Sequence, residues 1–551
     1  MFKFGVTLVY RQNTILLGFA NKTIKIANKS AGFTIQAVTS PVHFIFIFED
    51  NTIVVHKICL IGGRRMKCRA KVNLSIIMLL AFLLISTFGT GDFVTRVDAA
   101  RANEKADIII KNGYILTMNG SKEVFPKGTV VIKDKKIIAV GDEKLGNQYK
   151  APKIINANGN IVMPGMINTH NHVPMVAFRS IGEEGVGNRL FDVFFPLEGK
   201  LLSRDLIYKA SIHGAIEMAM GGVTTYADMY YHEDEVAKAT EKIGIRGVLG
   251  ETVISFPVVD APEPYGGLKY AENFIKQYQN NELITPSVVA HAPYTVSPEM
   301  LKASKALADK YKVPFALHAA EFPDEAQRVE SKFGQKYESV IKYLDSLGIL
   351  DENTMLAHAI HIDDEDIAII KERGATIAHN PIANTKGATG VAPAIKIDKA
   401  GIRMGLGTDG PMSSNTMDVF GTMGYAARIH KLVNKDQSLM PPSKVVELAT
   451  IGGAKALGLD KKVGSLEVGK YADIIIVDVY APNTFPTYDP YATLAYAAGP
   501  QNVKDVIVNG KMIVENKKLK TYDYNKNLRD MKEIYKKVAE VEKTLPYHKK
   551  P

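Results

Sequence analysis

Ile161-Val162-Met163-Pro164-Gly165-Met166-Ile167-Asn168-Thr169-His170-Asn171-His172 is the stretch on which the fold turns. An apolar run with strand texture ends in two histidines spaced two residues apart. Alternate residues of a strand face the same side, so both imidazoles point one way. Two neutral imidazoles so placed can share one divalent cation. Working downstream, further polar residues each follow a short apolar run: His291, His318 with Glu321, His358, and Asp409.

The apolar runs themselves recur at 222–226, 247–249, 283–290, 314–317, 354–357, 375–378 and 404–407. Helix-like segments separate them, as at 297–310 and 324–332. Alternation of this kind from 164 to 457 predicts an α/β fold, a (β/α)8 TIM-like barrel. Active sites of such barrels lie at the C-terminal ends of the strands, where these polar residues fall.

Both flanks read as β structure. The segment 108–110, Asn112-Gly113, 114–116 is a strand, turn and strand, and 130–140 is a hairpin about Asp134-Lys135-Lys136. Near the other end, 503–508 and 511–514 flank Asn509-Gly510, a favoured two-residue turn. One small β-sandwich built from both ends, 100–163 and 458–520, is therefore expected around the barrel. Residues 521–551 read as a C-terminal helix, amphipathic over 522–544.

Charge and cysteine are concentrated ahead of all this. Residues 1–99 carry 12 Lys and Arg against 4 Asp and Glu; the remainder carries 56 against 54. The basic balance belongs to the leader and gives no argument for nucleic-acid binding. Cys59 and Cys68 are the two cysteines, so the rest of the chain can offer only nitrogen and oxygen ligands.

The leader has the order of a secretory signal. Basic Met66-Lys67-Cys68-Arg69-Ala70-Lys71 precedes the uncharged apolar run 72–88, and Val97-Asp98-Ala99 offers small residues for a cut after Ala99. An uncleaved anchor is the alternative. A signal 65 residues in is out of place, and Gly62-Gly63-Arg64-Arg65 before Met66 reads like an in-frame ribosome-binding site. Residues 1–65 are thus expected to be translated upstream DNA, 66–99 a signal peptide, and the mature form extracytoplasmic, with no membrane contact once the leader is cut.

His170, His172, His318 and Asp409 supply three nitrogens and an oxygen, a set suited to one divalent metal, Zn2+ or Fe2+. No lysine ends a candidate strand before His318, which argues for one metal rather than two bridged by a modified lysine. Glu321, beside small Ala319 and Ala320, is placed to relay protons next to the metal. The period of 356–361 favours His358 over His361 as a site residue. His291 is better placed to touch substrate than to ligate, and His213 and His232 read as structural.

These residues together resemble the amidohydrolase superfamily, and within it the methylthioadenosine/S-adenosylhomocysteine deaminase and chlorohydrolase branch. The motifs are PGMINTHNHVPM, FFPLE, GGVTT, HAPYTVSP, LHAAE, AHAIH, HNPIANTKGATGVAP and GLGTDGPMSSN, in order across 107–515. The resemblance implies His170, His172, His318 and Asp409 as metal ligands, and Glu321, His358 and Asp409 in catalysis. It also implies Glu198 (in FFPLE) and His291 as substrate contacts. The implied reaction is hydrolytic deamination of an adenine-type nucleoside or related amino-heterocycle, a small-molecule substrate. Alternatives are a guanine-, pterin- or triazine-type aminohydrolase or chlorohydrolase, or a secreted binding protein without chemistry. The branch places arginines before HAPY to grip a charged tail. None occurs here between Arg246 and His291, which points to a neutral tail or a bare heterocycle. A homo-oligomer is left open.

Overall fold

The computed structural model describes residues 104–183 and 188–545 in full, and before them only the backbone of seven strands between Val6 and Asn73. The chain divides into two units, 1–102 and 103–551. In the first, strands from Val6–Arg11 to Arg64–Asn73 pair antiparallel, each with the next. Residues 74–103, with most of the expected apolar leader run and its cut after Ala99, lie outside the described residues.

The second unit is a (β/α)8 barrel carrying a β domain. Its strands are β1 (Met166–Asn168), β2 (Val223–Tyr230), β3 (Arg246–Val253), β4 (Ile284–Ala290), β5 (Phe315–Ala319), β6 (Thr354–His358), β7 (Thr376–His379) and β8 (Met404–Leu406). All pair parallel in sequence order. The ring closes between β1 and β8: Thr169 N–H donates to Leu406 O at 2.9 Å and Asp409 N–H to His170 O at 3.0 Å. A side-chain clasp reinforces the seam, with Asn168 Nδ2 donating to Thr408 Oγ1 at 2.7 Å and Thr408 N–H to Asn168 Oδ1 at 3.0 Å.

Gly165 shows why the opening motif reads Pro-Gly-Met. A Cβ there would stand 2.1 Å from the Thr224 side chain, so only glycine lets the chain enter β1 beside β2.

The β domain is one nine-stranded sheet drawn from both flanks. Ile161–Pro164 is its junction: it runs parallel to Ile108–Leu116 and antiparallel to Ile474–Val477. Asn509 and Gly510 both take positive φ, as the predicted turn requires. The sheet is tied to the barrel through buried Arg246 at the start of β3. Its guanidinium donates to Asp473 at 2.5 and 3.2 Å, to Asn509 Oδ1 at 3.1 Å and to Glu282 O at 2.7 Å, and lies 4.4 Å from the Tyr471 ring centroid. The C-terminal helix Tyr524–Glu542 docks on the helix Arg204–Met220, where His213 Nδ1 and Asn527 Oδ1 are 2.6 Å apart. His213 thus serves packing. No described helix is long and apolar enough to cross a membrane.

Candidate metal centre and active site

The C-terminal rim of the barrel gathers the predicted residues. A cavity of about 530 Å3 is lined by His172, Glu198, His291, His318, Glu321, His358 and Asp409. His170 lies beneath it, 1% exposed. Residues separated by some 240 positions therefore meet because each follows a strand of one closed ring.

The donor spacing fits a cation. His172 Nε2 stands 3.3 Å from both His318 Nε2 and Asp409 Oδ1, and His170 Nε2 is 3.5 Å from Asp409 Oδ1. Ligands at ~2.0–2.1 Å around a tetrahedral Zn2+ are separated by roughly 3.3–3.4 Å, the edge of that tetrahedron. Tautomers supply a second test. Nδ1 of His172 lies 2.7 Å from Met229 O, and Nδ1 of His318 lies 2.7 Å from His291 O. A carbonyl accepts only, so each Nδ1 carries a proton and each Nε2 is the atom turned to the donor cluster, free to ligate once it bears no proton. Without metal, His172 Nε2 holds a further proton beside Asp409; once that proton leaves, two Nε2 lone pairs stand 3.3 Å apart, a gap that a cation fills. The donor set thus fits one divalent metal.

Electrostatics in the metal-free site follow from burial and Asp409. Burial raises the Asp409 carboxyl, but the His170 and His172 imidazoles, 3.5 and 3.3 Å away, outweigh it and hold it well below the usual range. Burial pulls His170 down to about 4. Burial also pulls at His172, yet the Asp409 carboxylate prevails and pushes it up to about 9. Burial together with the neighbouring imidazoles keeps His318 well below its usual value.

Glu321 and His358 face each other over this cluster, Oε2 to Nε2 at 3.9 Å. Burial raises the Glu321 carboxyl, as suits a proton donor. The loop that carries it is fixed by Glu325, which accepts from the N–H groups of Ala320, Glu321 and Phe322 at 2.9, 2.8 and 3.1 Å. His358 Nδ1 donates to Asn384 Oδ1 at 2.8 Å, which leaves Nε2 aimed at the site. His358 and Asp409 both hold left-handed backbone, φ 77° and 61°. Strain of this kind concentrates where geometry at a site is over-determined.

Glu198 and His291 stand on the cavity wall. Burial pushes Glu198 up to about 7, against the opposing effect of the Tyr230 hydroxyl, which donates to it at 2.7 Å. Burial keeps His291 neutral, down to about 3. His361 faces away, 2.8 Å from Thr389 O.

Sequence reasoning missed several members. Tyr230 and Glu325 are supports visible only in three dimensions. Asn384 lies in the quoted HNPIANTK motif and could have been singled out there. More consequential are the cations. Arg189, Arg328 and Lys386 line the cavity although no arginine lies between Arg246 and His291. Arg328 pairs with Asp324 at 2.9 Å and lies over the Phe322 and Tyr294 rings at 4.7 and 5.2 Å. The argument for a neutral tail from one bare segment therefore does not hold, since positive charge enters from elsewhere in the fold.

A closed parallel barrel with a nitrogen-rich metal site at its C-terminal rim defines a metal-dependent hydrolase. Residues 161–513 match the Amidohydrolase family, and the chain belongs to it. It is a hydrolase acting on carbon–nitrogen bonds. It is 34% identical over 445 residues to a 5-methylthioadenosine/S-adenosylhomocysteine deaminase of Syntrophobacter fumaroxidans, covering 80% of this chain and 99% of that one. It is 35% identical to a 5'-deoxyadenosine deaminase of Methanosarcina mazei, over 76% of this chain and 96% of that one. Among solved structures it resembles a zinc-bound adenosine deaminase from Xanthomonas campestris, with a TM-score of 0.75 and 28% identity over 80% of this chain and 100% of that one.

Proposed function

We propose that this deaminase hydrolyses the exocyclic amino group of an adenine-type nucleoside. The observation that carries the reading is the Glu321–His358 pair, 3.9 Å apart above a ready donor set for one metal. The named activities of the relatives supply the substrate class.

The assigned roles are these. His170, His172, His318 and Asp409 hold the metal, which we take to be Zn2+ as in the adenosine deaminase neighbour. When bound, it would supply Lewis acidity and a nucleophile at neutral pH. Asp409 accepts a proton from the attacking water. Glu321 gives its proton to the ring nitrogen and recovers one from the hydroxyl of the adduct, while Asp409 passes the proton it took to the departing amine. The water oxygen bonds to the ring carbon, the carbon–nitrogen bond breaks, and the two water protons end on the ring nitrogen and on ammonia. His358 steadies the developing negative oxygen as a donor from Nε2, a role that needs a proton on both ring nitrogens, Nδ1 being given to Asn384. Glu198, anchored by Tyr230, and His291 orient the substrate from the wall.

The test is ammonia release by the purified, zinc-loaded chain from adenosine, 5'-deoxyadenosine, methylthioadenosine, S-adenosylhomocysteine, guanine, a pterin and an aminotriazine. Turnover of the purine nucleosides above the others supports the reading; turnover of only guanine, pterin or triazine replaces it with the second class. The pair methylthioadenosine and S-adenosylhomocysteine reads out whether Arg328 and its neighbours serve a charged tail.

The location belongs to the same proposal. Met66 is the start, the leader is cut after Ala99, and the enzyme works outside the cytoplasm. N-terminal sequencing of the native protein beginning at residue 100 supports this; peptides from 1–65 overturn the start site.

A further inference from the structure

The centre of a (β/α)8 barrel is ordinarily filled by layers of large branched side chains. Here several inward positions are small: Ala227, Ser287 and Ala316. They leave a second cavity of about 220 Å3 on the barrel axis, on the far side of the metal-binding histidines from the substrate pocket. Its outer end is bounded by Lys312, Glu352, Asn353 and Lys462. All four are exposed, and three of them immediately precede β5 and β6, at the N-terminal pole. Its inner end reaches His170 and Asp228.

Two further observations say what this space does. Of the four histidines at the metal centre, His172, His318 and His358 each have Nδ1 bonded to an oxygen. Nδ1 of His170 is buried and has no hydrogen-bond partner among the described residues. A metal-bound histidine gives its second ring N–H to a carboxylate, a carbonyl or water. His170 lines the axial cavity, whose volume exceeds many times the ~30 Å3 share of one liquid water. The second observation is Met229. It is a lining residue of both cavities, axial and substrate-binding, and carries a flexible thioether.

We propose that the barrel axis is a hydrated passage from the N-terminal pole to the underside of the metal centre. Water bonded to His170 Nδ1 is its resident ligand, and product ammonia is its cargo. The second half of that statement rests on the deaminase reading. The logic is one of size and position. The nucleoside product is held in the front pocket by the Glu198 side of the wall. Ammonia is the size of water, is polar, and is formed at the base of that pocket. Met229 is the one residue common to the two linings, and rotation of its thioether is the movement that would connect them. Ser287, whose hydroxyl lies on the wall, gives the passage a polar station between mouth and floor.

The experiment has two arms, both on the full metal-loaded chain. In the first, a high-resolution crystal structure is determined with and without xenon. Ordered water within hydrogen-bond distance of His170 Nδ1, and no xenon on the axis, is expected; a dry axial cavity that takes up xenon overturns the proposal. In the second, Ala316→Leu narrows the passage two residues before His318, and Ser287→Val narrows it in another strand. Metal content and KM are expected to stay at wild-type values while kcat falls by about tenfold, because release rather than substrate binding is impeded. Wild-type kcat in a folded, metal-loaded variant overturns the ammonia route. A wild-type enzyme that releases no ammonia from any purine nucleoside sinks the deaminase reading instead, and leaves the water arm to stand or fall by the crystal structure.

Discussion

In the metal-free protein a proton sits between His172 and Asp409. Metal must displace it, and the size of that competition can be worked out. The other two nitrogens are already neutral at pH 7, since burial holds His170 at about 4 and, with the neighbouring imidazoles, keeps His318 well below its usual value. Only His172 competes, with its proton held up to about 9 by the Asp409 carboxylate against the pull of burial. Zinc affinity should therefore rise tenfold per pH unit up to about pH 9 and level off above it. Affinity at pH 7 is then on the order of 100-fold below its plateau, roughly 3 kcal/mol. A zinc titration against a chelator of known protonation, repeated from pH 6 to 10, measures the slope; calorimetry in two buffers of different ionisation enthalpy counts the proton directly. Asp409→Asn removes the group that raises His172, so the slope should vanish while the affinity drops. An affinity that is flat between pH 7 and 9 in the wild type would refute the account of a shared proton. The same shift governs the stability of the metal-free protein. His172 is raised above its unfolded value of 6.5, so its contribution is fully present below pH 6.5 and is lost as pH rises through about 9. The amount is on the order of 3 kcal/mol. Metal-bound protein should lack this alkaline decline.

Glu321→Gln should keep its zinc and lose at least ~100-fold in kcat, the scale of general acid–base catalysis, as measured by ammonia release alongside metal analysis. Asn384→Leu should free the His358 ring and lower kcat by about tenfold with KM little changed, while Asn384→Asp, which keeps an acceptor for Nδ1, should restore most of it. Asp473→Ala should strip the buried Arg246 of its charge partner and destabilise the protein by roughly 3–5 kcal/mol in denaturant unfolding. The candidate metal site lies at the other end of the barrel, so its affinity for zinc should not move.

The candidate donors, and His358 that faces them, were legible in the sequence because a barrel repeats one local rule. Each of His170, His172, His318, His358 and Asp409 closes a short apolar run, and a parallel strand exposes its C-terminal end wherever it occurs in the ring. Asn509-Gly510 likewise announced its hairpin, since few dipeptides accept two positive φ values. What sequence alone could not show depends on neighbours from distant strands. The carbonyls of Met229 and His291 that fix two imidazole tautomers have no side-chain signature. Tyr230 meets Glu198, and Arg328 reaches the pocket across two aromatic rings, only because helices and loops fold over the rim. The axial cavity is further still from any motif: it is a volume left over when Ala227, Ser287 and Ala316 face one another. Local chemistry named the donors; the closing of the ring decided what stands beside each of them.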